Sequence, residues 1–216
     1  MVANYFNITV IAEWITFFIS FFLLTKKTGS WQLFIPWLIM VLSVETMGWY
    51  QSNILNSTNN STPFNVLMII SIIFFLWLIS GAEEMRLFKT KLYFIIIAFF
   101  LFSIINLFFI QKIKIYNSYT EILGDIIIVI LSLLLMYNII KHENTQRSLF
   151  SHEYFWLATG LLFSSAASAL VYIFLDELQQ FKNETKINVF GYINYTVNIL
   201  LYTCMIIAFV CRRKKA

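Results

Sequence analysis

Residues 92–110 read LYFIIIAFFLFSIINLFFI, nineteen consecutive positions without a charge, a proline or a glycine. At about 1.5 Å per residue, a helix needs about 20 apolar residues to cross the hydrocarbon core of a bilayer. No water reaches the backbone there, so a crossing segment is either a helix or one strand of a closed barrel. Barrel strands alternate apolar and polar over about ten residues, and this stretch does not alternate. It reads as a transmembrane helix. The whole chain agrees with it. Of 216 residues, 60% are hydrophobic and only 12% charged, with mean hydropathy +0.77, against about 25% charged in an ordinary soluble domain. Two prolines and six glycines leave little material for β turns. A soluble enzyme, a disordered tail and a disulfide-stapled secreted domain are excluded.

Working outward gives seven segments of crossing length, at about 7–24, 31–50, 64–81, 92–110, 119–140, 154–175 and 189–211. The expected fold is therefore an all-α, polytopic seven-transmembrane-helix bundle, one domain over residues 1–216. The third helix is expected to continue through 82–88, which contains no breaker. No internal repeat is visible, which weighs against an inverted-repeat transporter. The first span lacks a basic leader and a small-residue cleavage site, so no cleavable signal peptide is expected. Cys204 and Cys211 lie seven apart on one helix, beyond disulfide reach, and read as small apolar packers.

Lys and Arg set the orientation. With seven spans, Lys112, Lys114, Lys182 and Lys186 fall on the side of the N-terminus. The other eleven fall on the opposite side: Lys26, Lys27, Arg86, Lys89, Lys91, Lys141, Arg147, Arg212, Arg213, Lys214 and Lys215. The N-terminus is expected outside and the C-terminus in the cytoplasm, in the inner membrane of a bacterium. The net charge of +4 then reflects topology. It gives no evidence for a nucleic-acid partner, and the four-cation tail is expected to lie on anionic lipid of the bilayer.

An ionisable side chain inside lipid is costly enough to be a functional hypothesis by default. In the N-out arrangement Glu13, Glu45, Glu121 and Asp125 lie in the outer halves of three spans, with Asn106, Asn194 and Asn198 at similar depth. No Lys or Arg falls inside a span to neutralise them. If these faces converge, they line an outward-facing acidic cavity suited to a small cationic ligand, an amine or a proton. The plainer reading, good for Glu121, Asp176 and Glu177, is an interfacial acid serving a helix end. At the cytoplasmic end, Glu83, Glu84, Arg86, His142 and His152 read either as a solvated face or as a docking surface for a partner. The spacing of the two histidines gives no metal signature. No metal and no cofactor is expected. Gly160, Ser164 and Ser168, at i, i+4 and i+8, form a small-residue stripe for close helix packing. Trp31, Trp49, Tyr50, Tyr116, Tyr119, Tyr154 and Tyr192 are placed as interfacial belts.

Several seven-span functions are excluded. The last span has no lysine for a retinal Schiff base, and no proline follows Pro63 as receptor spans would require. Pro-Gln pairs, H-E-x-x-H, G-x-S-x-G and a Walker loop are all absent. The run Glu121-Ile122-Leu123-Gly124-Asp125 resembles the Leu-Gly-Asp segment of the YhhN/lysoplasmalogenase family of small polytopic membrane hydrolases, which implies eight spans and a carboxylate general base. More of the chain resembles uncharacterised small polytopic inner-membrane proteins of Bacteroidota. That resemblance rests on Val44-Glu45-Thr46, on 116–125, on the run FWLATGLLF at 155–163, and on Asn198-Ile199-Leu200. It implies a membrane sensor or accessory module. The expected function is accordingly a non-enzymatic membrane sensor or accessory subunit, signalling to a separate cytoplasmic protein such as a kinase, because the chain ends five residues after Cys211. The alternatives are a cation- or proton-coupled transporter or channel, and a lysoplasmalogenase-like hydrolase.

Overall fold

The computed structural model describes residues 8–24, 26–53, 61–141 and 148–215, and they are helical throughout apart from short joints. The helices are α1 (Ile8–Leu23), α2 (Phe34–Asn53), α3 (Ser61–Ser80), α4 (Lys89–Ile105), α5 (Ser118–Lys141), α6 (Glu153–Ile173), α7 (Leu175–Thr185) and α8 (Val189–Lys215). Six helical stretches are long and apolar enough to cross a membrane, and α1 is a shorter apolar helix. Among the described residues there is no strand.

α3 stops where the sequence supplies a poor helix former. Gly81 follows α3, and Ala82 is extended (φ −69°, ψ 139°) before a short 3-10 segment, Glu83–Phe88, leads into α4. The expected continuation of the third helix through 82–88 is therefore corrected: glycine disfavours the helix, and Glu83 and Glu84 suit the first turn of a new one. The sixth helix ends at Ile173, two residues short of expectation, and α7 was not anticipated. Its sequence is too polar for lipid and reads as a loop, yet Asp176 and Glu177 lie in its first turn and Lys182 in its last. Those positions complement the helix dipole. Asp176 and Glu177 thus start α7 rather than close α6.

Neighbour relations order the bundle. α1 packs on α2 and α8, α2 on α3, α3 on α5, α5 on α6, and α6 on α8. These six close a ring, α1–α2–α3–α5–α6–α8. α4 lies outside it against α3, and α7 caps the α6–α8 edge. The outward faces are apolar: Phe22 on α1 is 74% exposed, Phe94 on α4 68% and Phe109 80%. Such surfaces are costly in water and neutral in lipid. Hydroxyls on these helices are satisfied within their own turns, as Thr16 Oγ1 donates to Ala12 O (2.7 Å), Ser103 Oγ to Phe99 O (2.7 Å) and Thr203 Oγ1 to Ile199 O (2.7 Å). That is how polar side chains become tolerable in a bilayer.

The ring is tightest at α6–α8. A Cβ built on Gly160 would stand 2.8 Å from Cys204 Cβ and 3.4 Å from Leu201 O, so only glycine admits α8 at this distance. Gly160 therefore packs inside the monomer. The two serines of its stripe have a different setting, described below. Trp31 and Tyr154 correct the expectation of interfacial belts: Trp31 is fully buried and Tyr154 nearly so, in edge contact at 5.2 Å. Tyr50, Tyr119 and Tyr192 are exposed as expected, and the Trp49 side chain lies outside the described residues.

Gly160→Val is expected to cost about 1–3 kcal/mol through overpacking. Gly124→Ala adds one methyl, in clash with Ile72 Cδ1 and 3.1 Å from its Cγ1 and Cγ2, with none of the backbone contact found at Gly160, and is expected to cost less. Thermal unfolding of both variants in one detergent checks this, and equal losses would contradict the packing described.

Candidate functional site

The ring encloses a cavity of about 320 Å³, within the range of small-molecule pockets. Six of the seven residues expected to bind a ligand line it: Glu13 from α1, Glu45 from α2, Glu121 and Asp125 from α5, and Asn194 and Asn198 from α8. The seventh, Asn106, is elsewhere. It is fully buried on the peripheral α4, where the helix widens into a single π turn (Asn106–Ile110). Its Nδ2 donates to Gln111 Oε1 (2.9 Å) and Thr120 Oγ1 (2.7 Å), tying the end of α4 to α5.

Helix periodicity explains how each segment presents its polar groups. Glu121 and Asp125 are four apart on one face of α5, and Ser164 and Ser168 are four apart on α6. Asn194, Asn198, Leu201 and Tyr202 follow the i, i+4, i+7, i+8 rhythm along α8. The small-residue stripe thus divides by function: Gly160 brings α8 close, while Ser164 and Ser168 face the cavity.

The carboxyls are only partly satisfied. Tyr202 Oη donates to Glu13 Oε1 (3.2 Å). Glu121 accepts from Tyr116 Oη on one oxygen and from Ser168 Oγ (3.3 Å) on the other. Glu13 Oε2 and Asp125 Oδ2 have no partner, although Glu13 is only 2% exposed and Asp125 6%. A buried polar atom left unpaired costs about 1–3 kcal/mol, and more when charged. No Lys, Arg or His is among the described residues lining the cavity. The site is a polar chamber lined by carboxyl, amide and hydroxyl groups, with two carboxyl oxygens unpartnered.

Tyr116, Tyr202, Trp37 and Ser165 also line this site, where the sequence does not place them. Tyr116 read as an interfacial belt residue. It lies instead on the joint between α4 and α5, stacked at 5.2 Å on Tyr172 and turned onto Glu121. Burial, reinforced by the Glu121 carboxyl, pushes its phenol well above the ordinary value, so it stays protonated and donates. Asn65 fixes this joint. Its Nδ2 donates to Ile113 O (3.1 Å) and Ile115 O (2.8 Å), and its Oδ1 accepts from Asn117 N (2.9 Å).

Towards the basic end the cavity gives way to aromatic side chains. Trp37, which lines it, stacks on Phe74 at 5.6 Å and meets Phe75 at 5.0 Å. Phe34 meets Phe74 at 5.1 Å and Phe209 at 4.9 Å. Beyond these rings lies an ionic cluster. The buried Glu153 pairs through Oε1 with Arg212 Nη1 and Lys215 Nζ, each at 3.0 Å. Arg212 also reaches Thr28 O through Nε (3.3 Å) and Nη2 (3.2 Å) and stands 5.9 Å over Trp31. Gly29 makes that carbonyl available by adopting φ 64°, ψ −133°, a conformation reserved for glycine.

Of the residues expected to contact a partner, Glu84 and His152 contact each other (Oε1 to Nε2, 2.9 Å). Glu83 and Arg86 are exposed. His142 lies outside the described residues.

Compared with known proteins, the chain matches no family model, no curated protein and no solved structure.

Asn65→Ala removes three hydrogen bonds from the joint that carries Tyr116. Hydrogen exchange at the amides of 113–117 is expected to rise by about tenfold or more. Unchanged protection there would show that other contacts hold Tyr116 in place.

Proposed function

We propose that this chain is a seven-span protein of a bacterial inner membrane, N-terminus out and C-terminus in, that binds a small cation in the central chamber and reports its occupancy at the cytoplasmic end. In this reading it is a membrane sensor or accessory subunit rather than an enzyme. The observation that carries it is the pair of buried, unpartnered carboxyl oxygens, Glu13 Oε2 and Asp125 Oδ2, facing a chamber without a basic residue. Orientation rests on the bias of Lys and Arg. The seventh crossing rests on α1, which carries Glu13 and closes the ring between α2 and α8.

Two features favour reporting over passage. The aromatic layer of Phe34, Phe74 and Phe209 lies between the chamber and the basic end, which weighs against a continuous path for ions. In addition, α6 and α8 each contribute to both sites. α6 carries Ser165 and Ser168 at the chamber and Glu153 at the ionic cluster; α8 carries Asn198 and Tyr202 at the chamber and Arg212 at the cluster. A cation that drew α8 towards Glu13 or Asp125 would move Arg212 relative to Glu153. It acts as a signal only to the extent that it binds two arrangements of the bundle unequally.

A second reading, a lysoplasmalogenase-like hydrolase, draws on one arrangement: Asp125 and Glu121 face the same chamber beside Ser165 and Ser168. There a carboxylate would serve as general base towards water.

A fluorine label on Cys211, in protein carrying Cys204→Ala and reconstituted in nanodiscs, tests the sensor reading. Methylammonium is expected to shift the label's resonance saturably, and Glu13→Gln with Asp125→Asn together to abolish the shift. Methylammonium binding that leaves the label unmoved would contradict signalling. Lipid hydrolysis by the reconstituted protein, lost in Asp125→Asn, would favour the second reading.

A further inference from the structure

The four carboxyls of the chamber fall into two pairs. Glu13 and Glu45 stand on the adjacent helices α1 and α2, and both line the chamber. Glu121 and Asp125 stand four apart on one face of α5 and line it too. In the ring α1–α2–α3–α5–α6–α8, α5 stands opposite α1. The pairs therefore face one another across the chamber.

Among the described residues, no three Asp, Glu, His or Cys side chains come close enough together to hold one metal ion. A single compact cation thus meets one pair and leaves the other unserved. Each pair also keeps one unpartnered buried oxygen, Glu13 Oε2 in the first and Asp125 Oδ2 in the second. The lining mixes hydroxyls with apolar side chains, the latter Met68, Ile72, Phe75, Leu161 and Leu201.

We infer that the ligand is a short α,ω-diammonium compound, one ammonium at Glu13 and Glu45, the other at Glu121 and Asp125, with its methylene chain along the apolar walls. This rests on the cation-binding reading proposed above. The dimensions agree. Neighbouring helix axes lie about 8–10 Å apart, so opposite members of a six-helix ring stand roughly 16–20 Å apart. Side chains reaching about 5–6 Å from each axis leave a gap of roughly 4–10 Å. A chain of about three to five methylenes, at ordinary carbon–carbon bond lengths, spans it. Each ammonium offers three donors and has no acceptor, which matches a chamber of carboxylate, amide and hydroxyl oxygens. The aromatic faces of Trp37 and Phe75 suit the alkyl carbons next to a cation.

Calorimetric titration of the full chain in nanodiscs with 1,4-diaminobutane, butylamine and potassium chloride tests this. Diaminobutane is expected to bind at least roughly tenfold more tightly than butylamine, because the second ammonium gains a charged hydrogen-bonding partner. Glu13→Gln and Asp125→Asn, which disable opposite poles, are each expected to erase that preference while butylamine binding persists at the remaining pole. Equal affinities for the two amines in the unaltered protein would overturn the diammonium assignment and leave the cation-binding reading standing. No heat from any of the three would overturn both. The amine comparison uses the unaltered protein, so the outcome does not depend on either variant folding.

Discussion

Lipid supplies no hydrogen bonds, and every feature of this bundle answers to that constraint. Backbone groups are satisfied by continuous helices, and hydroxyls on those helices turn back onto carbonyls of the preceding turn. The surface is apolar, with phenylalanines left largely exposed on α1 and α4. Carboxyls and amides that the outside cannot accept are gathered inside a ring of six helices. Two oxygens there remain unpaired even after Tyr202, Tyr116 and Ser168 have donated what they can.

The polar chamber occupies one part of the bundle only. Rings of Trp37, Phe74, Phe34 and Phe209 succeed it, and the Glu153–Arg212–Lys215 cluster follows. Glu153 is the buried member, and either Arg212 or Lys215 alone still leaves it paired. α6 and α8 run through all three layers with Gly160 pressed against Cys204 between them. At that contact the Cys204 and Leu201 side chains of α8 sit directly on the Gly160 backbone.

Much of this was legible in the sequence because lipid makes polar residues conspicuous. Glu13, Glu45, Glu121, Asp125, Asn194 and Asn198 each stand out within an apolar run, and all six line one chamber. Helix periodicity gave the shared faces but could not say which helices are neighbours. That is why Asn106, equally conspicuous, turned out to tie α4 to α5 from outside the ring. Tyr116, Tyr154 and Trp31 differ from expectation because an amphipathic ring suits an interface and a buried site equally well. Tyr202 carried a usable signal in its position four residues after Asn198. α7 was hidden by polarity, since a helix that lies outside the apolar zone has no hydropathy signature.

An acidic chamber that admits water and ends at the aromatic layer has a chemical signature. Thiol labelling measures it most directly, using single cysteines introduced by Ser168→Cys and by Phe34→Cys into protein carrying Cys204→Ala and Cys211→Ala. The account predicts that Ser168→Cys reacts with a cationic thiosulfonate at least roughly tenfold faster than with an anionic one of similar size, as a negative local potential requires, and that Phe34→Cys reacts with neither. Equal rates for the two reagents at Ser168→Cys, or ready labelling at Phe34→Cys, would contradict it.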